Sequence, residues 1–523
     1  MNTKRDVIIA GGGLAGLGLA WQLKTARPEL DILVLEKASF PRPKAIAKVG
    51  ESTVEIGSHY FSRELDLAQH LRESHLKKFG IRIFFGAPAP DFSQQDELGA
   101  SQTFGIPTYQ IDRGDIENHL AAKVQAAGVE ILAEADIQRM DLSGSQKQLQ
   151  VNTPQGQYQL QSRWLLDAAG RASLIKNQAQ LARPNNHRAH AVWFRVDRSI
   201  IIDQWSNHAD WANRVDRKGQ RWLSTNHLTG PGYWVWIIPL ASGVTSIGIV
   251  MDDQVLEESG IKDQASAMAW LHKHQSRCAQ AIEGATFLDF VVLRDYSYDC
   301  QQLFNDQGWA ITGEAGRFAD PFYSPGSDFI AFGNGFITDL VSADSRGEDV
   351  RLRALVYDKI FKSIYDNTLS LYTGQYGGFG DRRMMGIKLL WDYSYYWGVL
   401  SLLFFRRALT DIDAVRRVSP LLLKAQALNQ DIQQHFRVRA ARRLQLPNAG
   451  VFMDQYKIPC LQHFNAVLQA DESRDCDADL QQNLLLIERV AEAVIDMLRE
   501  DASSDISESE RELLGDYRKL VLA

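Results

Sequence analysis

The chain has 523 residues, too many for one compact core, so two to four structural units are expected. A formal charge of -7 argues against a nucleic-acid polyanion as main partner, and charged residues at 23% beside 45% hydrophobic ones fit an ordinary globular protein. The four cysteines (Cys278, Cys300, Cys460, Cys476) have neither CxxC nor framework spacing, so reduced thiols are expected, with no disulfide and no metal.

Residues 6–36 open the chain with a recognisable unit. Val7 to Ala10 predicts a buried strand, Leu14 to Lys24 an amphipathic helix, and Ile32 to Leu35 a second strand. Between the first strand and the helix stand Gly11, Gly13 and Gly16, spaced GxGxxG, with Ala15 inside the motif. Such glycines allow a tight turn and close backbone approach, and the helix N-terminus then faces a pyrophosphate. Glu36 ends the second strand, where a carboxylate can bind ribose hydroxyls. The combination predicts a dinucleotide whose adenine ribose is unphosphorylated, FAD or NAD.

Further along come KVGEST at 48–53, with Gly50, Glu51 and Ser52, and KKFGI at 77–81. By residue type alone Lys77, Lys78 and Arg82 read as a solvated basic surface. Residues 85–107 hold Pro88, Pro90 and Pro107 among many Ser and Gln, predicting a loop excursion that covers an active site. YQIDR at 109–113 leads into a helix to Ala127. WLLDAAGR at 164–171 predicts a strand ending in Asp167 and a Gly170–Arg171 turn.

Residues 190–300 alternate strands with polar turns. Within them GYWVWIIPL (232–240) places Trp234 and Trp236 on one face of a strand. Residues 308–320 predict another strand running into a small-residue turn with Gly313 and Glu314, followed by DPFYSPG with Asp320, Ser324, Pro325 and Gly326, then Ser327. From 351 the pattern is helical, including Leu480 to Leu498. The aromatic run 391–405 reads as a helix packed into the core or capping a cavity, with a membrane-surface contact as the sharper alternative. Its uncharged stretch is shorter than the ~18–20 residues that span a bilayer. The polar start, Met1 to Asp6, carries no signal-like segment, so a soluble, cytoplasmic protein is expected. The acidic stretch after Arg499 reads as a solvated end.

The order GxGxxG, D-x-x-G-R and late acidic turn resembles the FAD-binding fold of the para-hydroxybenzoate hydroxylase type. WxWxIP (Trp234, Trp236, Ile238, Pro239), together with KVGEST, YQIDR and DPFYSPG, resembles the flavin-dependent halogenases. The matches run from Gly11 to about Gly335. The resemblance implies a mixed α/β fold: a Rossmann-like FAD-binding domain (1–85, 108–185 and 301–350), the excursion at 86–107, a substrate-binding sheet at 186–300 and a helical C-terminal region at 351–523.

By the same resemblance FAD is held non-covalently by Gly11, Gly13, Ala15, Gly16, Glu36, Gly50, Glu51, Ser52, Arg113, Asp167, Gly313, Glu314, Asp320 and Ser327. It is supplied reduced (FADH2) by a separate flavin reductase, since the chain has no second strand–GxGxxG–helix, although single-component hydroxylases of this fold also lack one. Halide, chloride or bromide, would sit at Ser324, Pro325 and Gly326. Trp234 and Trp236 would wall substrate from flavin, and Lys78 would deliver hypohalous acid to a small aromatic substrate, free or carrier-bound. A homodimer is compatible with this reading.

The chain departs from the family in three places. Glu314 replaces an Asp, Tyr323 stands where the tryptophan branch has Glu, and Pro325 lacks an N–H that could bind halide. Phe322 and Tyr323 lean toward the branch acting on phenols, pyrroles or carrier-bound rings. An aromatic hydroxylase, and a flavoprotein modifying a partner or carrier protein, stay open as alternatives.

Overall fold

A computed structural model describes residues 3–86, 89, 91–471 and 473–500. Pro88, Pro90 and the acidic stretch from 501 onward lie outside the described residues. The chain divides into two compact units, one of Met1–His75, Ile111–Asn185 and Ser297–Asp366, the other of Leu76–Gln110, Asn186–Tyr296 and Asn367 onward.

The first unit is built on a seven-stranded sheet. Lys4–Ala10 lies between Ile32–Leu35 and Gly156–Asp167, parallel to both; Glu130–Leu132 and Trp309–Ile311 extend the parallel part. Val7, Ile8, Ile9, Leu33, Val34, Leu165 and Leu166 are fully buried. Continuous apolar runs are what parallel strands covered on both faces require. The helix Leu14–Ala26 packs on Arg113–Ala126 and on Gly326–Ser345. The first half of Gly156–Asp167 also turns back in antiparallel pairing with Lys147–Thr153, which pairs in turn with Asp136–Asp141.

The second unit carries an eight-stranded sheet in the order Phe287–Leu293, His190–Val196, Thr245–Met251, Tyr233–Pro239, Thr225–Gly230, Ile81–Phe85, Asp96–Gly99, Phe452–Asp454. One face buries an apolar core with Val192, Phe194, Leu228, Val235, Ile237, Ile247 and Ile249. By strand alternation Trp193, His227, Trp234, Trp236 and Ser246 occupy the other face. Helices follow, among them Arg382–Tyr395, Ile412–Ala440, Pro459–Gln469 and Cys476–Glu500. On the last of these Leu480, Leu484, Val490, Val494 and Met497 are buried, as the spacing predicts. Trp391, Trp397, Leu402 and Phe405 of the aromatic run are also buried. No helix among the described residues is long and apolar enough to cross a membrane.

Four expectations need correction. Residues 86–107 are not a bare loop: Asp96–Gly99 is a buried strand inside the larger sheet. The C-terminal region is not purely helical, because Phe452–Asp454 pairs with that strand. The chain leaves the first unit after His75, so Lys78 belongs with the sheet unit. Arg82 is no surface residue but fully buried.

The last point explains the first. Two adjacent carboxylates argue against a buried strand until their partners are seen. Glu97 accepts from Arg82 and from Arg221 (2.8 Å) and pairs with Arg214 at 3.3 Å. Asp96 pairs with Arg382 at 3.1 Å and accepts from the Ala449 and Val451 amides. Burial alone would raise the Glu97 carboxyl, but Arg82 and Arg221 outweigh it and hold it below the usual glutamate range. Its stabilising contribution is therefore present above the ordinary glutamate pKa and lost as pH falls through the lowered one. Glu97→Gln would leave buried guanidiniums without their counter-charge. A loss of about 3–5 kcal/mol is expected, read as a lower denaturant midpoint at neutral pH.

Candidate active site

The parallel register ends four strands at one level. Ala10 lies beside Leu35 and Asp167, and Asp167 beside Ile311. Gly11, Glu36, Ala168 and Thr312 therefore emerge together at the carboxyl edge, where open α/β sheets bind ligands. Backbone bonds hold the exits adjacent: Gly11 N–H to Leu35 O (2.8 Å), Ala168 N–H to Ala10 O (2.8 Å) and Thr312 N–H to Asp167 O (2.9 Å).

The glycines of the turn have different reasons to be glycine. Gly11 has φ +111°, and a Cβ there would run into the Ala168–Ala169 backbone. A Cβ at Gly16 would strike the Gly11 carbonyl. Gly13 is extended, with φ -87°, and a Cβ would meet only Lys48 Nζ at 3.7 Å and Glu117 Oε1 at 3.9 Å. The protein itself leaves room at Gly13, so the small residue answers to whatever approaches the turn from outside.

Around that opening lies a charge cluster drawn from four segments. Glu36 accepts from the Gly12 amide (2.7 Å) and the Ala38 amide (2.8 Å), and pairs with Arg42 at 2.9 Å. Arg42 also reaches the Gly12 carbonyl (3.0 Å) and Glu117 (2.6 Å). Lys48 and Arg113 each pair with Glu117 at 2.9 Å, and Arg113 donates to the Val49 carbonyl (2.6 Å). Three cations thus share the fully buried Glu117 carboxylate. Burial raises that carboxyl, but Arg113, Lys48 and Arg42 overcome it and hold it below the usual range. Burial and the two guanidiniums push the Lys48 ammonium down despite Glu117. Counting Glu36, the cluster keeps one positive charge in excess beside a helix N-terminus, which fits a pyrophosphate.

The remaining residues of this unit fall nearby. Gly50 has φ +95°, and a Cβ there would sit 2.9 Å from Arg113 Nη1. Glu51 and Ser52 are buried beside it, and the Ile111 amide donates to the Glu51 carbonyl at 2.7 Å. The fully buried Asp167 accepts from the Ala169 (3.0 Å) and Ile175 (2.8 Å) amides, so its carboxylate holds its own turn; burial raises it to about 6 against those amides. Gly313, with φ +60°, packs toward Ala15, and the Glu314 carbonyl accepts from Tyr298 Oη at 2.6 Å. Burial raises the Glu314 carboxyl, opposed by Arg171, Arg113 and Lys48.

Asp320 accepts from the Phe322 amide (2.9 Å), and Ser324 has φ +58°. Pro325 is the N-cap of the helix Gly326–Ser345, so its missing N–H falls just before the helix. The first-turn amides of Gly326 and Ser327 are those a helix leaves without intrahelical partners. The Ser327 hydroxyl is buried with no hydrogen-bond partner among the described residues, while Asp328 is turned to the Gly57 amide (2.8 Å).

Lys78, Trp234 and Trp236 belong to the second unit. Lys78 precedes the strand Ile81–Phe85, its amide donates to the Thr108 carbonyl (2.8 Å), and only 3% of the residue is exposed. The Trp234 and Trp236 rings lie 5.6 Å apart, and Trp236 Nε1 donates to Ser246 Oγ (3.3 Å), which also accepts from Trp193 Nε1 (2.9 Å). Opposite Trp236 stands Gly248, where any Cβ would collide with the indole. His227 lies 5.3 Å from the Trp234 ring.

Sequence reasoning missed Arg42, Glu117 and Asn334. Fully buried, Asn334 accepts from Thr312 Oγ1 (2.8 Å) and donates to the Ala15 carbonyl (3.0 Å) and Tyr60 Oη (2.8 Å), tying the late strand to the glycine helix. Only Glu117 left a usable signal, its i,i+4 spacing from Arg113.

A parallel sheet with a glycine turn, an acid at the end of its second strand and a cluster of cations beside a helix N-terminus is an arrangement that could hold a dinucleotide, as in oxidoreductases of the flavoprotein class. The comparisons agree. A family model described as tryptophan halogenase matches residues 88–366, and one described as an NAD(P)-binding Rossmann-like domain matches residues 9–74. The chain belongs to the tryptophan halogenase family. It is 27% identical over 436 residues to the flavin-dependent halogenase chlA of Dictyostelium discoideum, covering 76% of this chain and 70% of that one. Identity to the 1H-pyrrole-2-carbonyl-(peptidyl-carrier protein) chlorinase of Pseudomonas fluorescens is 23%, covering 61% and 72%. The structure of halogenase PltM in complex with phloroglucinol and FAD shares the fold, with TM-score 0.66 at 17% identity over 94% of this chain and 96% of that one.

Gly13→Val tests the cofactor site, because the backbone angle admits a side chain and a Cβ there meets only ordinary contacts. The variant is expected to fold with the melting temperature of FAD-free wild type yet purify without FAD, read as loss of flavin absorbance at wild-type circular dichroism. Normal FAD stoichiometry would remove the turn from the cofactor site.

Proposed function

We propose that this protein is a two-component FAD-dependent halogenase of a phenolic, pyrrole or indole ring, with Lys78 as the group that hands over the halogen. The observation that carries this reading is the burial of Lys78, in the unit that also holds the Trp234–Trp236 pair. A lysine is rarely withdrawn from water without a task or a partner.

The glycine turn, Glu36, Arg42, Lys48 and Arg113 hold the ADP half of FAD, and Asp167 and Asn334 keep the strand exits in place. When bound and reduced, FAD supplies the electrons that let oxygen oxidise halide to hypohalous acid. The first-turn amides of Gly326 and Ser327 with the Ser324 hydroxyl form the anion site, one donor smaller for want of an N–H on Pro325. Lys78 meets hypohalous acid as a hydrogen-bond donor, or as an amine that becomes a haloamine with loss of water. The halogen then passes as a cation equivalent to the ring carbon, the ring loses a proton and the amine is restored. Trp234 and Trp236, rigid and buried, wall the aromatic substrate.

Relatives named for pyrrolyl groups on a peptidyl carrier support a carrier-bound ring as one form of substrate. Pro325 favours a second reading, direct hydroxylation of the ring, because a weaker halide site leaves oxygen transfer to compete.

Electron supply separates the readings. NADPH alone is expected to bleach the bound flavin only slowly in stopped flow, and an added flavin reductase to restore turnover; rapid bleaching without reductase would place the protein with single-component hydroxylases. The lysine is tested by product analysis. Lys78→Ala and Lys78→Met are expected to keep FAD and consume oxygen while halogenated product falls to background. Lys78→Arg is expected to fail too, since a guanidinium stays charged and cannot form a haloamine. An oxygenated product formed undiminished by Lys78→Ala would make the lysine structural and the enzyme a hydroxylase.

A further inference from the structure

Away from the flavin cluster, the first unit brings together His70, His75 and Asp115. One ligand atom from each lies within 4.8 Å of the other two. His70 Nε2 is 3.2 Å and His75 Nε2 3.7 Å from Asp115 Oδ2. All three atoms are buried, and none has a hydrogen-bond partner among the described residues, so the close distances lack hydrogen-bond direction. The His75 side chain is wholly shielded from solvent. Buried nitrogen and carboxylate atoms are ordinarily paired, and three unpaired ones pointing at a common centre call for a missing partner.

A divalent cation would satisfy all three atoms at once, taking a lone pair from each imidazole and from the carboxylate. We propose that His70, His75 and Asp115 bind a zinc-class divalent transition metal, with a water in the fourth position. A tetrahedral zinc with bonds of about 2.0–2.1 Å needs ligand atoms roughly 3.3 Å apart. The two spacings to Asp115, 3.2 and 3.7 Å, already bracket that value, and the two imidazole nitrogens lie within 4.8 Å of each other. Two imidazoles and a carboxylate suit zinc better than calcium or magnesium, which take oxygen ligands.

The surroundings favour ligation. The Nδ1 of His70 faces Ser74 Oγ at 3.4 Å, an outer partner for the proton it carries when Nε2 ligates. His119 stacks on the His70 ring with centroids 4.0 Å apart and fixes its plane. One contact opposes loading: the Asp112 amide donates to His75 Nδ1 at 3.3 Å, and this long bond is given up when that nitrogen takes the proton.

His70 lies on the helix Ala68–Ser74, His75 is its C-cap, and Asp115 stands in the first turn of Arg113–Ala126. The metal would clamp these two segments where the chain carries Arg113 on one side and departs toward Lys78 on the other. This site is independent of the halogenase reading.

The test uses untagged full-length protein, stripped with chelator and titrated with Zn2+ or Co2+. One tight equivalent of Zn2+ is expected, with a rise in melting temperature, and Co2+ should give the visible d–d bands of a tetrahedral site. Asp115→Asn, isosteric with wild type, and His70→Gln, at a partly exposed position, should each weaken Zn2+ binding by about 100-fold and remove the Co2+ bands while FAD content holds. The second variant serves if the first fails to fold. Absence of a saturable equivalent in the wild type, or wild-type affinity in a folded variant, would overturn the site.

Discussion

Three cations around one buried carboxylate set the terms for the first unit. Arg42, Lys48 and Arg113 arrive from separate stretches of chain and meet at Glu117, which has no other way to be neutralised in the interior. A buried carboxylate with one cation would be balanced and closed to ligands. With three, the repulsion among them is relieved only by more negative charge, and Glu36 supplies just part of it. The cluster is thus stable as a fold element and keeps a net positive charge that could accept an anion such as a diphosphate.

The geometry that brings these segments together is the register of the parallel sheet. Because Ala10, Leu35, Asp167 and Ile311 stand side by side, four chain exits share one edge, and each next residue faces the same space. Asp167 and Asn334 act through this edge: one caps the turn after its strand, the other joins Thr312 to Ala15. Both are buried polar groups with satisfied partners, the condition under which such groups rigidify a site rather than weaken it.

The second unit follows a different logic. Its antiparallel strands divide side chains between a wholly apolar face and a face of tryptophans, histidine and serine. Trp234 and Trp236 belong to the latter, and Gly248 across the sheet leaves the space Trp236 needs. Toward one edge, inside the strand Phe452–Asp454, the sheet includes Asp96–Gly99, a strand that exists because Arg82 and Arg221 neutralise Glu97 and Arg382 pairs with Asp96.

Local pattern was enough for the βαβ unit, Glu36, the strand ending at Asp167, the Trp234–Trp236 strand and the late helices. Each is written in contiguous residues whose period or spacing has a short-range physical cause. The sequence alone did not reveal Glu97 as a strand residue, because its charge is tolerated only by arginines remote in the chain. Nor did it separate Lys78, which is buried, from Lys77, which is exposed. Arg42, Asn334 and the His70–His75–Asp115 group were decided by tertiary structure alone, and Glu117 left only its i,i+4 spacing from Arg113. Charge pairing and ligand convergence depend on distance in space, and the parallel sheet brings together residues that no local period relates.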